Sequence, residues 1–309
     1  MSLSKFCKNI LCLIVLLAVF IGCSTEKNTF INRNYHSITA KYNGYFNAKE
    51  LIRIGLLNYS NTYREDYFTI LPIELRPNEE NVVEFYPVVD TAILKCQTVI
   101  SKHSMPTASK PSKKKTEHAR WIDMNWVLIG QAQFLRKDYQ NALETFDYVR
   151  KFYGDRSSTY YGAIWRARTE IALNLLPDAR RSLQKFETQY QNYLSDKGNM
   201  HPILYRRKFR KEAKENKKST LAPPFPRKLY YDLYVTKAEL ALKEKNNTEA
   251  IKHLKDALKH TRKKQQKARI NFIIGQILFQ EGDETARKYF TQCISKNPTF
   301  EMGFKAKIF

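Results

Sequence analysis

The spacing of apolar residues predicts helices along most of the chain. Apolar side chains recur three or four positions apart within Asp90–His103, which places them on one helical face. The same reading predicts two helices over Arg33–Asn58, with a break near Asn43–Gly44. Three prolines interrupt Tyr67–Pro87, which is therefore predicted to be mostly extended or loop. A polar linker with lysine and proline follows at Met105–Thr116.

From Trp126 onward the apolar pattern repeats itself. One position of the repeat is always occupied by a small residue, namely Ala142, Ala179, Ala250 and Ala286. A large apolar residue follows each alanine four positions later, at Phe146, Leu183, Leu254 and Phe290. A small residue opposite a large one lets two helices approach closely, and the frame of about 34 residues is that of the tetratricopeptide repeat.

The alanines are 37, 71 and 36 residues apart, so the doubled gap indicates an insertion or a degenerate unit. We place a basic insertion at residues 195–228. In the fourth copy, Gly275 lies one residue too close to Ala286 for the common spacing. This predicts that the Gly282–Asp283 turn of that copy is one residue short. The expected fold is an all-α tetratricopeptide-repeat solenoid over residues 120–309, preceded by an irregular helical region at 23–119. Amphipathic helices without this repeat geometry are the alternative.

The amino terminus predicts export and lipidation. Two lysines precede the apolar run Ile10–Ile21, which is too short to span a bilayer and is typical of a signal peptide. Cys23 follows Gly22 directly, as in bacterial lipoprotein signals, although Phe20 and Ile21 make the cleavage box loose. We therefore predict a signal peptide at residues 1–22, lipidation of Cys23, and anchoring to the periplasmic face of the outer membrane. An ordinary signal peptide or an uncleaved anchor is the alternative.

Catalytic and metal-binding patterns are not found in the sequence. It contains no phosphate-binding glycine loop, no nucleophile elbow and no zinc-protease motif, and its six histidines are scattered. We therefore expect no enzyme activity, no cofactor and no metal. Only Cys96 and Cys293 remain as free thiols once Cys23 is lipidated, and two buried thiols are favoured over a disulfide.

The chain is strongly basic. Its formal charge is +23, and loss of the signal peptide leaves 51 − 30 = +21. Two stretches concentrate this charge, Arg206–Lys218 and Lys259–Arg269. Such runs are commonly solvated faces, but they also fit an acidic protein partner or anionic headgroups. Nucleic acid is not expected for an exported protein. The candidate basic partner patch is Arg206, Arg207, Lys208, Arg210 and Lys211.

A second candidate site is the groove that first helices of such repeats form together. Repeat positions that face it carry mixed polar and apolar side chains, which suit an extended peptide or a partner helix. The candidate contacts are Gln131, Phe134, Arg168, Glu239, Lys243, Arg269, Gln276 and Phe279.

Several short motifs resemble the PorW/SprE lipoproteins of Bacteroidota. They are Cys23–Thr25, Asn32–His36, Lys41–Asn43, Phe46–Asn47, Ile100–Met105, Arg120–Asp123 and Ile129–Phe134. The resemblance covers roughly residues 23–153 and implies a periplasmic scaffold of the type IX secretion system, also needed for gliding motility. It implies partners in the ring-and-motor complex and in the outer-membrane translocon, and no catalytic residues. Only Cys23 transfers as a defined site.

Two other functions remain open. A BamD-like lipoprotein of outer-membrane protein assembly belongs to the same class. A SusD-like glycan receptor is also a helical-repeat lipoprotein, but it needs an exposed aromatic platform and surface display. Here most aromatic residues take core positions of the repeats, and no acidic export signal follows Cys23.

Overall fold

The computed structural model describes residues 28–106, 117–215 and 220–309. Within these ranges the protein is all-helical and contains no strand, so the all-α prediction is confirmed. Neighbouring helices pack in pairs, an arrangement compatible with a helical solenoid. The predicted signal peptide and Cys23 lie outside the described residues.

The helices are numbered in chain order. The amino-terminal region contains α1 (Phe30–Thr39), a π-helical segment (Ala40–Phe46), α2 (Asn47–Thr62) and α3 (Val82–His103). The pairs that follow contain α4 (Ile122–Leu135), α5 (Tyr139–Phe152), α6 (Ser158–Ala172), α7 (Leu176–Lys197), α9 (Leu229–Lys243), α10 (Asn247–His260), α11 (Lys264–Gln280) and α12 (Ala286–Ile294). Helix α8 (Pro202–Glu215) lies between the second and third pairs, and α13 (Phe300–Ile308) follows the fourth.

All four pairs share one turn geometry. Each turn has a residue with positive φ, with values of 66°, 60°, 58° and 72° at Lys137, Asn174, Lys245 and Gly282. The N–H of the next residue donates to the carbonyl five positions earlier, at 2.9, 2.8, 2.9 and 2.9 Å. This bond is that of a Schellman motif, which ends the first helix and reverses the chain.

Glycine allows the closest approach within two of the pairs. A Cβ atom on Gly130 would lie 2.5 Å from the ring of Phe146, and one on Gly275 would lie 2.8 Å from the ring of Phe290. The fourth pair is one residue shorter than the first, as predicted, but its turn has the common geometry. The missing residue lies at the start of α12, between Gly282 and Phe290.

The amino-terminal helices are more continuous than predicted. No break occurs at Asn43–Gly44, because the chain widens there into the π-helical segment. Gly44 lies against Asn125, whose Oδ1 would be 2.3 Å from an added Cβ atom. Asn125 Nδ2 also donates to the carbonyl of Ala40 at 2.9 Å. The widened turn therefore packs directly onto α4.

The loop predicted over Tyr67–Pro87 ends early, since α3 begins at Val82 and contains Pro87. A proline inside a helix leaves the carbonyl four residues earlier without its partner. That residue, Val83, is 64% exposed, and Pro87 is exposed as well. Water can therefore donate a hydrogen bond to the carbonyl of Val83, and the helix continues through the proline.

The basic insertion is packed on its inner side. Tyr205 and Phe225 are buried in one cluster with Tyr160 and Phe186. The hydroxyl of Tyr205 donates to the carbonyl of Ala222 at 2.7 Å. The segment therefore does not project freely, because its aromatic residues fill the space beside the second pair.

Both cysteines in the described residues are free and buried, as predicted. Burial raises the pKa of the Cys96 thiol and of the Cys293 thiol to about 12.

Candidate interaction groove and basic helix

The first helices of the four pairs line one surface, which we call the groove. It contains a cavity of about 890 Å³. Phe134 from α4, Arg168 from α6, and Glu239 and Lys243 from α9 all line it. These four residues were predicted from sequence to face such a surface, and the structure brings them together.

The groove is not empty. The chain between α2 and α3, Tyr63–Asn81, runs along it without regular secondary structure, and we call it the internal segment. Gln276 of α11 holds its backbone. Gln276 Nε2 donates to the carbonyls of Tyr67 and Thr69 at 2.8 and 2.6 Å, and Oε1 accepts from the N–H of Leu71 at 3.0 Å. One buried side chain therefore satisfies three backbone groups.

Arg269, about two helical turns before Gln276 on α11, contacts the same segment. Its Nη1 and Nη2 atoms contact both carboxylate oxygens of Glu65, at 2.8 and 2.5 Å. Its Nε donates to the carbonyl of Pro72 at 2.9 Å. Two-point pairing of this kind fixes both distance and orientation.

A network of charges fixes the other end of the internal segment. Arg168 is only 2% exposed, and its Nη1 lies 3.1 Å from Glu74 Oε2. Arg76 bridges Glu74 and Glu239, at 2.8 and 3.0 Å. A buried guanidinium needs a carboxylate partner, and here the internal segment supplies it.

The arginines of this network shift the pKa values of the carboxyl groups beside them. Burial alone would raise the pKa of Glu74, but Arg168 and Arg76 beside it lower that pKa to about 2. Burial raises the pKa of Asp232 to about 6, although Arg168 opposes the shift. Of the two carboxyls, Glu74 is the one whose charged form the arginines favour more strongly.

The remaining predicted groove residues lie elsewhere. Gln131 is half-buried on α4. Phe279 is 52% exposed, and its ring centroid lies 5.3 Å from that of Phe309. Arg168, Arg269 and Gln276 were expected to contact a partner, but in the structure they contact the internal segment. Contact of the groove with another protein stays a prediction. The sequence predicted an extended or loop segment over Tyr67–Pro87 but not its place in the groove, for which its acidic residues were the available signal.

Helix α8 carries the candidate basic patch. Tyr205 and Phe209 face the protein, while all five cations, Arg206, Arg207, Lys208, Arg210 and Lys211, are exposed. Burial raises the pKa of Tyr193, and the charges of Arg206 and Arg227 oppose that rise. The structure thus gathers the cations on the outer side of a packed helix.

The second basic stretch does not form one surface. Lys259 pairs with Asp256 at 2.7 Å, and Arg269 lies in the groove. Arg262, Lys263 and Lys264 are exposed where α10 leads into α11. The charges of Lys259–Arg269 are therefore divided between solvent and the internal segment.

Two histidines meet near α1. His36 Nδ1 and His103 Nδ1 are 2.8 Å apart, and His36 is buried. In the described residues no three His, Cys, Asp or Glu side chains are grouped so that they could hold a metal ion. Across the same residues, no helix has both the length and the apolar character needed to cross a bilayer.

Models of known protein families were compared with the chain and none matches, and no curated protein matches it either.

Proposed function

We propose that this protein is a lipid-anchored periplasmic scaffold of type IX secretion and gliding motility, held to the outer membrane through Cys23. Its helix pairs would be tetratricopeptide repeats. The shared turn geometry supports this assignment, as do the fully buried alanines Ala142, Ala179 and Ala250. A scaffold of this class acts by binding proteins and needs no catalytic group.

The observation that carries the proposal is the meeting of the motifs that resemble PorW/SprE lipoproteins. Four of them are separated in sequence, yet side chains from these four meet: Asn32–His36, Lys41–Asn43, Ile100–Met105 and Arg120–Asp123. His36 contacts His103 at 2.8 Å, and Lys41 lies 5.6 Å from the ring centroid of Trp121. The backbone N–H of Arg120 donates to Ser37 Oγ, next to the first motif, at 2.9 Å. These four motifs therefore contribute to one local structure, as expected if the resemblance reflects a common fold.

The basic patch on α8 is the proposed contact with the secretion machinery. Its five cations are exposed on a helix whose inner side is fixed by Tyr205. Such a surface complements an acidic periplasmic protein, and the attraction is screened over about 8 Å at physiological salt. Salt should weaken capture of the partner, mainly by slowing association.

The test replaces Arg206, Arg207, Lys208, Arg210 and Lys211 with Gln in the full chain. We expect an unchanged melting temperature, lower recovery of secretion components from detergent-solubilised envelopes, and reduced secretion. The control replaces the same number of exposed cations elsewhere, namely Lys185, Lys252, Arg287, Lys288 and Lys307.

Equal recovery and secretion with the two variants would contradict the role of the patch. The proteins that co-purify also separate the candidate functions. Components of the type IX translocon support the proposal, whereas components of the outer-membrane assembly machinery or a bound glycan would replace it by the BamD-like or SusD-like alternative.

A further inference from the structure

The outer side of the amino-terminal helices carries a continuous series of large apolar residues, which we call the amino-terminal stripe. It consists of Phe30, Ile31, Tyr35, Ile38, Tyr42 and Phe46. From Ile31 onward these residues recur three or four positions apart along α1 and the π-helical segment. Each is at least half exposed, and Phe30 and Ile31 are 79% and 77% exposed.

The opposite side of the same helices is fixed to the protein. His36 contacts His103, Ser37 accepts a hydrogen bond from Arg120, and the carbonyl of Ala40 accepts one from Asn125. Because these contacts hold the helix in place, the stripe faces outward as a rigid surface. A helix that was only loosely attached would be free to turn its apolar side inward.

The charged residues of the stretch that carries the stripe all have one sign. Residues 28–49 contain Arg33, Lys41 and Lys49 and no acidic residue, and the first acid along α2 is Glu50, one turn after Phe46. An apolar helical face on a stretch with cations and no acids is typical of helices that lie in the headgroup region of an anionic membrane. Tyr42 also suits that depth, because its ring is apolar and its hydroxyl is polar.

The position of the stripe in the chain indicates which surface it meets. Phe30 follows Cys23 by seven residues, and seven residues span at most about 25 Å. A chain acylated at Cys23 therefore keeps the stripe close to the bilayer whatever path those residues take. Short tethering of this kind raises the effective concentration of a second, weaker contact.

We propose that the amino-terminal stripe docks onto the anionic membrane surface and thereby sets the orientation of the protein on the bilayer. This inference rests on the proposed lipidation of Cys23 to bring the stripe near the bilayer. The contact itself is made by side chains and does not require the acyl chains. The apolar side chains insert at the headgroup level, and Lys41, 4.5 Å from the ring centroid of Tyr42, pairs with a phosphate group.

The test uses the mature chain, from residue 23 onward, with Cys23→Ala so that no acyl chain is present. It is mixed with vesicles of phosphatidylethanolamine and phosphatidylglycerol, or of phosphatidylcholine alone, and floated through a density gradient. We expect the chain to float with the anionic vesicles and much less with the neutral ones.

Matched variants identify the surface. Ile38→Ser with Phe46→Ser removes side chains that are 58% and 54% exposed from the stripe. We expect binding to the anionic vesicles to fall about tenfold. The control is Phe304→Ser with Ile308→Ser on α13, where the exposed fractions are 54% and 59%. The control should bind as the parent does.

Four results would overturn the inference. The first is failure of the parent chain to float with anionic vesicles, and the second is a stripe variant that binds as well as the α13 control. Loss of binding on replacement of the α8 cations alone would assign the membrane contact to that helix instead. Self-association through the stripe without vesicle binding would indicate a second copy as the occupant. None of these results bears on acylation of Cys23, which is measured separately.

Discussion

Gln276 connects two parts of the chain that are 205 residues apart at its hydrogen bond with Leu71. It is 4% exposed, and both its amide hydrogens and its carbonyl oxygen are used. At the scale of single residues, the position of the internal segment therefore depends on the hydrogen bonds of individual polar side chains such as Gln276.

Gln276→Leu keeps the approximate size of the side chain but leaves the Leu71 N–H and two carbonyls unpaired. We expect the free energy of unfolding to fall by about 2–3 kcal/mol. Hydrogen exchange of the Leu71 amide should also become faster than that of the α11 backbone. Gln265→Leu, at an exposed position in the first turn of the same helix, is the control. Equal melting temperatures for the two variants would show that the bonds contribute nothing.

The His36–His103 pair predicts a dependence of stability on pH. Burial lowers the pKa of His103, and the charges of His36 and Lys102 lower it further. The folded state therefore binds fewer protons than the unfolded chain. The resulting stabilisation is complete above the unfolded pKa of about 6.5 and is lost as the pH falls below it.

His103→Asn removes this titration while retaining a polar group near the position of Nδ1. Between pH 7.5 and 5.5, on the order of one unit either side of the unfolded pKa, the melting temperature of the variant should fall less than that of the parent. His201→Asn, at an exposed site, should behave as the parent. If the pH dependence of His103→Asn equals that of the parent, the pair does not titrate as described.

At the scale of the helix, close approach within each pair depends on small residues. Ala250 is fully buried between α9 and α10. Ala250→Leu should overpack this contact and lower the free energy of unfolding by about 1–3 kcal/mol. Lys252→Leu on the exposed side of α10 is the control, measured in the same thermal melts. A variant as stable as that control would mean that the repeat register is wrong.

The elements also show where local patterns stop being informative. Pro87 led to the prediction of a loop, yet α3 continues through it because Val83 and Pro87 face solvent. Gly44 led to the prediction of a helix break, yet the chain stays helical because Gly44 allows α4 to pack closely against this turn. In both cases the deciding factor is what surrounds the residue, and the local sequence does not contain that information.

At the scale of the molecule, the proposed outer-membrane localisation requires lipidation of Cys23. Cys23→Ala should abolish fatty-acid labelling and remove the protein from the outer-membrane fraction, because no thiol remains directly after the apolar run. Cys12→Ala, within that run, should be labelled normally. Labelling is followed in cells fed a radioactive fatty acid, with fractionation of the envelope. Undiminished labelling of Cys23→Ala would contradict lipidation at this residue.

The helix pairs could be predicted from the sequence because their causes are local. The spacing of Ala142, Ala179, Ala250 and Ala286 indicates helix pairs, since a small residue at a fixed helical position is needed wherever two helices touch. The positions that face the groove follow from the same periodicity. Of the predicted residues, Phe134, Arg168, Glu239 and Lys243 line one cavity.

The occupant of the groove was decided only by the tertiary structure. The contacts of Gln276 and Arg269 with the internal segment join residues about 200 positions apart. Periodicity describes which side of a helix a residue takes, and it contains no information about which distant segment will lie there. The buried charge of Arg168 and the half-buried charge of Arg269 require carboxylates, and Glu74 and Glu65 reach them only once the folded chain lies in the groove.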